Sequence, residues 1–192
     1  MTLHDVAGGL EPRDPIGERT ALFVVDVQER FRPAMQGFDS MVAGCLRLVR
    51  TFRILGLPLI VTEQYPKGLG RTVAELQEPL AGVPVFEKTA FSALGCPQVR
   101  EKLALLEARS IVVCGIETHV CVHQTVRDLL RAGYRVEVAV DAVESRHSGD
   151  RDVALRRMEN SGAVLTTTEM AAFELLVDAR HPRFKEVQAL FK

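Results

Sequence analysis

Tryptophan is absent and aromatic residues make up only 6% of the chain, which leaves little from which to build base-stacking platforms for nucleic acid. The formal net charge is -1, so no general electrostatic pull toward a polyanion or an anionic membrane surface operates. No apolar run approaches the length needed to cross a bilayer. The opening from Met1 to Gly17 is polar, contains Gly and Pro, and lacks the apolar core of a signal peptide. The four cysteines, Cys45, Cys96, Cys114 and Cys121, form neither a CxxC motif nor a paired zinc spacing. They are too few and too scattered for a disulfide scaffold, so free thiols in a reducing cytosol are expected. Nucleic-acid binders, membrane proteins and disulfide-stapled domains drop out. A cytoplasmic protein acting on a small molecule is left.

Hydrophobic residues make up 47% and charged residues 26% of 192 positions, enough for one domain with a real core. Residues 1–19 read as a flexible arm and 20–192 as a single domain. Short apolar runs alternate with amphipathic segments. Ala21–Val25, Leu57–Val61, Val83–Phe86, Ile111–Ile116, Arg135–Val140 and Ala163–Leu165 read as six strands. Helices are expected near 39–56, 97–108, 119–132, 150–161 and 168–177, with Gly56, Gly133 and Gly162 at their C-terminal ends. Such alternation predicts an α/β fold, a three-layer α/β/α sandwich around a mostly parallel six-stranded sheet. The stretch from Glu63 to Gly82 reads as the active-site loop or lid.

Open parallel sheets bind ligands beyond the carboxyl ends of their strands. Reading those positions gives Asp26, Glu63 or Gln64, Lys88, Cys121 and Asp141. The segment Ile111–Val122 is the most telling, because it places a thiol where an apolar run ends and a helix begins. Helix N-termini favour thiolate and hold oxyanions through spare N–H donors. Taken singly, Asp26 is as readily a helix cap as a catalytic acid, Lys88 a solvated surface lysine, and Cys121 a small core residue. Together they fill three roles. Lys88 can lower the thiol pKa from about 8.5, and Asp26 can carry the thiol proton to a leaving amine.

Asp26 in Phe23-Val24-Val25-Asp26-Val27-Gln28, Lys88 in Phe86-Glu87-Lys88-Thr89, Asp141-Ala142-Val143 and the run Gly115-Ile116-Glu117-Thr118-His119-Val120-Cys121-Val122 together resemble the isochorismatase-like cysteine hydrolases. The resemblance spans about residues 20 to 176. It implies a catalytic triad of Asp26, Lys88 and Cys121, and a non-prolyl cis peptide at Ile116–Glu117. It further implies an oxyanion hole from the backbone N–H groups of Glu117 and Cys121, and a homo-oligomer. Nicotinamidases of this family hold a metal with an Asp and two His after the second strand, whereas Thr62–Gly70 contains no His; metal-free chemistry without a cofactor is therefore expected. Isochorismatases proper lack the nucleophilic cysteine, which disfavours vinyl-ether hydrolysis here. The stretches Thr62–Gly70, Phe91-Ser92 and His181–Glu186 look most like the isochorismatase domain-containing branch, whose substrates are generally unassigned.

His119 and His123 stand four apart but lack a third ligand at metal spacing, and read as surface or interface histidines. Arg146 and His147 could reach a substrate carboxylate, with loop residues near a subunit contact as the plainer reading. Phe31, Glu63, Gln64, Tyr65, Phe91 and Thr118 are candidates for lining the substrate pocket. The reading is an amidohydrolase-like enzyme that cleaves a small amide or related C–N bond through a thioester. A thiol redox sensor using Cys121 and a catalytically silent scaffold are the rivals.

Overall fold

The computed structural model describes residue 17 and residues 19–192, so most of the arm expected over 1–19 lies outside the described residues. Six strands, β1 (Thr20–Val25), β2 (Leu59–Gln64), β3 (Val85–Lys88), β4 (Ser110–Ile116), β5 (Arg135–Glu144) and β6 (Val164–Thr166), form one sheet. Helices α1 (Phe38–Leu55), α2 (Pro66–Leu69), α3 (Ala74–Gln77), α4 (Pro97–Leu105), α5 (His123–Arg131), α6 (Ser148–Asn160), α7 (Thr168–Leu176) and α8 (Phe184–Gln188) fall between and after them. The sheet is parallel throughout, in the order β3-β2-β1-β4-β5-β6. The chain thus runs outward from β1 in one direction, then returns to β4 and runs outward in the other. The two halves meet at the switch point between β1 and β4, the crevice where doubly wound sheets bind ligands.

β1 and β4 are buried along their whole length, as central strands covered on both faces must be. Their side chains alternate between two cores. Leu22, Val24, Val112, Cys114 and Ile116 join Met41, Cys45, Leu48 and Phe52 of α1 on one face. Ala21, Phe23, Val25, Ile111 and Val113 join Val99 of α4, Val126 of α5 and Met158 of α6 on the other. The α1 residues repeat every three or four positions, and the helix stops at Gly56, whose left-handed φ of 70° caps it through bonds to Phe52 and Arg53 carbonyls. At the switch point Gly115 has φ 116°, and a Cβ there would lie 2.0 Å from the Val25 carbonyl oxygen. Only glycine lets β4 approach β1 so closely.

Element boundaries differ from the sequence-based expectation: β2 runs from Leu59 to Gln64 instead of Leu57 to Val61. β3 begins after Pro84, which has no N–H to donate to a ladder, and continues through Lys88, so that Gln64 and Lys88 are in register. β5 runs on to Glu144 past a register shift opposite Val113–Gly115. The 63–82 stretch is not an irregular loop: it carries α2 and α3, and Gln28 and Thr72 form an antiparallel bridge at its base.

Candidate active site

Asp26 follows β1 directly and sits at φ 51°, a left-handed conformation uncommon outside glycine. Its N–H donates to the Thr62 carbonyl at 3.1 Å, and its carboxyl group is buried. Thr62 Oγ1 donates to Asp26 Oδ1 at 2.7 Å, and Lys88 Nζ donates to Oδ2 at 2.6 Å. Lys88 reaches across the end of β2 to do this. Its ammonium also donates to Gln64 Oε1 at 2.7 Å, the Phe91 carbonyl at 3.1 Å and the Ala90 carbonyl at 3.2 Å. A lysine has three N–H donors, and four protein oxygens surround this one. Two buried charges removed from water are tolerable only when paired and hydrogen-bonded in this way.

Cys121 comes from the next strand end across the switch point. β4 stops at Ile116, the Ile116–Glu117 peptide is cis, and the chain enters a wide π turn over Thr118–Val122 before α5 begins. The Glu117 carbonyl accepts from the N–H groups of Val120 and Val122, both at 3.1 Å, and passes over that of Cys121 between them. Such single π turns recur at functional sites. The thiol lies against both Asp26 and Lys88. Burial, then the charge of Asp26, push its pKa up to about 12, and the opposing charge of Lys88 does not offset them. Burial likewise raises the Asp26 carboxyl above its ordinary value, although Lys88 and Thr62 hold it down in part. The expectation of a depressed thiol pKa is therefore overturned. The cation meant to stabilise the thiolate is occupied by the carboxylate, and the resting group is a neutral thiol facing a carboxylate that binds protons more tightly than usual.

The structure divides the other candidates. Gln64 touches the site through Lys88. Phe91 does so through its carbonyl, and the Tyr65 N–H donates to the Lys88 carbonyl at 2.9 Å; the side chains of both aromatics stand exposed beside it. Thr118, fully buried in the π turn, has a hydroxyl with no partner among the described residues. Glu63 does not belong to the site. Alternation along β2 turns it to the opposite face, where it accepts from the Thr72 N–H, Thr72 Oγ1 and Arg71 Nη1 at 2.7, 2.8 and 2.9 Å and anchors the following segment. Phe31 packs against the α1-side core, whereas Cys121 belongs to the opposite one. Asp141 lies inside β5 rather than past its end, and accepts from the Thr168 N–H and hydroxyl at 2.8 and 2.7 Å, bracing the start of α7.

His119 Nδ1 lies 3.0 Å from Ser145 Oγ, and Arg146 Nε donates to Glu117 at 2.9 Å. The loop after β5 is thereby tied to the cis turn. Among the described residues no group of three or more His, Cys, Asp or Glu side chains is placed to hold a metal ion. Cys114 lies in the α1-side core, across the sheet from Cys121. Sequence reasoning missed Thr62 and Gln28. Thr62 and Gln64 are two residues apart on one strand and so share a face, a signal that was available.

The isochorismatase domain model matches residues 20–170. Isochorismatase domain-containing protein 2 of Xenopus laevis is 47% identical over 177 residues, covering 91% of this chain and 85% of its own. Isochorismatase domain-containing protein 1 of Salmo salar is 46% identical over 174 residues, 90% of this chain. This chain spans 61% of that relative's length. A solved structure from Caenorhabditis elegans, named MAR1 ribonuclease, superposes with a TM-score of 0.87 at 46% identity and covers 92% of this chain and 91% of that one. A parallel sheet wound in this order, with near half of its residues shared with these relatives over nine tenths of its length, has the isochorismatase-like fold, and the chain belongs to the isochorismatase domain family.

Proposed function

We propose that the protein is a cysteine-dependent hydrolase of a small amide or related C–N bond. One observation carries the reading: a buried thiol, a buried carboxylate and a buried ammonium from three strand ends meet at the switch point. Asp26 takes the proton of Cys121 as Sγ attacks the substrate carbonyl. The Sγ–C bond forms, and the carbonyl electrons move to an oxyanion held by the N–H groups of Glu117 and Cys121. Asp26 returns the proton to the leaving amine as the C–N bond breaks, which leaves a thioester on Cys121. Water then gives a proton to Asp26 and its oxygen to the acyl carbon, the C–S bond breaks to release the carboxylic acid, and Asp26 returns that proton to Sγ, which restores the thiol. Lys88 holds the Asp26 charge in place and steadies the negative charge that passes between carboxylate and sulfur.

A high thiol pKa suits this scheme, since deprotonation is coupled to attack instead of preceding it. A redox role that pairs Cys121 with Cys114 is poorly supported, because the two side chains occupy cores on opposite faces of the sheet. The cysteines of the described structure are free, which fits a reducing cytosol, and a homo-oligomer is the proposed assembly. The name of the Caenorhabditis elegans relative makes RNA a second substrate class to try.

The test is a panel of small amides, ureides and carbamoyl compounds with a short RNA alongside. Ammonia or amine release is followed together with the intact mass of the enzyme. Turnover of one panel member with an acyl adduct on Cys121, lost in Cys121→Ala, supports the reading. Turnover that survives Cys121→Ala, or cleavage of the RNA alone, overturns it.

A further inference from the structure

We propose that Gln64, itself oriented by Gln28, is a positioning residue that sets how the Lys88 ammonium is shared between Asp26 and Cys121. This goes beyond the triad and rests on that reading of it.

Gln64 is constrained from every side. Its backbone N–H donates to Gln28 Oε1 at 2.8 Å, and its carbonyl accepts from Gln28 Nε2 at 3.0 Å. Its side-chain Nε2 donates to the Thr89 carbonyl at 2.8 Å. That last bond fixes which way the amide faces, so its oxygen, an acceptor only, must point to Lys88 Nζ. Gln28 is fully buried, and its Nε2 also donates to the Gly70 carbonyl at 2.6 Å. The two glutamines therefore clasp the ends of β1 and β2, the segment after β2 and the turn after β3 around one ammonium.

Asp26 and Gln64, at 2.6 and 2.7 Å, each hold one Lys88 N–H, and the Phe91 and Ala90 carbonyls, at 3.1 and 3.2 Å, share the third, so the thiolate gains a donor only when Gln64 gives one up. An uncharged acceptor at the Gln64 position holds one donor without competing for the charge. The neutral amide thus matters in two separable ways, by occupying a donor and by carrying no charge. Substitution can change either one alone.

The experiment is the pH dependence of Cys121 alkylation by iodoacetamide in the full chain, read by mass spectrometry of the Cys121 peptide. Thermal melts establish that each variant is folded. Gln64→Met keeps the length and removes the acceptor, which frees an N–H that can turn to the thiolate; Cys121 should label roughly tenfold faster at a fixed alkaline pH, one unit of downward displacement. Gln64→Glu keeps the shape and adds a second anion beside the ammonium, and should label roughly tenfold slower. Opposite displacements support the proposal. A purely structural role would lower both melting temperatures and move both profiles the same way or not at all, and either result overturns it. If one variant does not fold, the other's predicted direction still decides. Lys88→Met separates the two levels: if it leaves the Cys121 profile unmoved, the triad reading itself is wrong.

Discussion

Asp26 and Lys88 come from strands separated by β2, yet their side chains, each 1% exposed, meet at 2.6 Å. Among the described residues it is the most deeply buried ion pair, and it lies against the Cys121 thiol. Both facts bear on what its loss would do.

Lys88→Met removes the cation and leaves the carboxylate buried. Breaking one side of such a pair costs about 3–5 kcal/mol, and the Asp26 pKa should climb further above its unfolded value. The folded variant then binds a proton that the unfolded chain does not, between the unfolded value of about 3.9 and the raised folded one. Stability is therefore fullest below that window and falls as pH rises through it. Urea unfolding at pH 4.5 and pH 7 should show a smaller deficit against the parent at the lower pH. A deficit that is equal at both, or larger at pH 4.5, would mean that the carboxylate is not the group left stranded.

Asp26→Asn separates acidity from catalysis. After burial, the Asp26 charge is the largest cause of the high Cys121 pKa. Its removal should let Lys88 act on the thiol unopposed. Alkylation of Cys121 near pH 8.5 should be faster than in the parent by roughly tenfold, the worth of one pKa unit, although turnover of any substrate is abolished with the general base. Slower labelling in the variant would show that Asp26 deprotonates the resting thiol instead of restraining it.

The strand ends were legible in the sequence because buried parallel strands are continuous apolar runs, and the first polar residue after each stands out. Asp26 was found that way, and Cys121 as the thiol where the apolar run ending at Ile116 gives way to a helix. Lys88 was found with β3 placed two residues early, since Pro84 hides the true start. Electrostatics were not legible. A cation and a helix start both argue for a low thiol pKa, whereas burial and the second partner of that cation are properties of the folded site. Glu63 and Gln64 could not be told apart until the pairing of β2 with β3 fixed which faced Lys88. Asp141 looked like a strand-end acid only because the extension of β5 past its bulge leaves no trace in hydrophobic pattern.

Asp141 accordingly serves stability. Asp141→Ala removes acceptors for the Thr168 N–H and hydroxyl at the start of α7, a loss of the size of a helix cap, about 1 kcal/mol. The melting temperature should drop by a few degrees, as expected for a chain of this size. Alkylation of Cys121 across pH should remain that of the parent. A changed labelling profile at unchanged stability would return Asp141 to the site.

Arg146 offers the converse case, a residue half exposed to solvent whose effect should be on rate. Its Nε holds the carboxylate of Glu117, which is buried and carries the N–H proposed for the oxyanion hole. Arg146→Ala leaves that carboxylate without its cation, held only by the backbone N–H of residue 146 at 3.3 Å, and so loosens the turn that carries the Glu117 N–H. Displacements near one ångström at such donors cost roughly a hundredfold in rate. Because the ground-state carbonyl uses the hole less than the oxyanion does, the loss should fall on kcat more than on KM once a substrate is in hand. Glu117→Gln in the Arg146→Ala background removes the stranded charge while keeping the side-chain shape, and should restore part of the rate. If the double variant is as slow as Arg146→Ala, or if only KM moves, Arg146 acts by binding substrate directly and not by holding the turn.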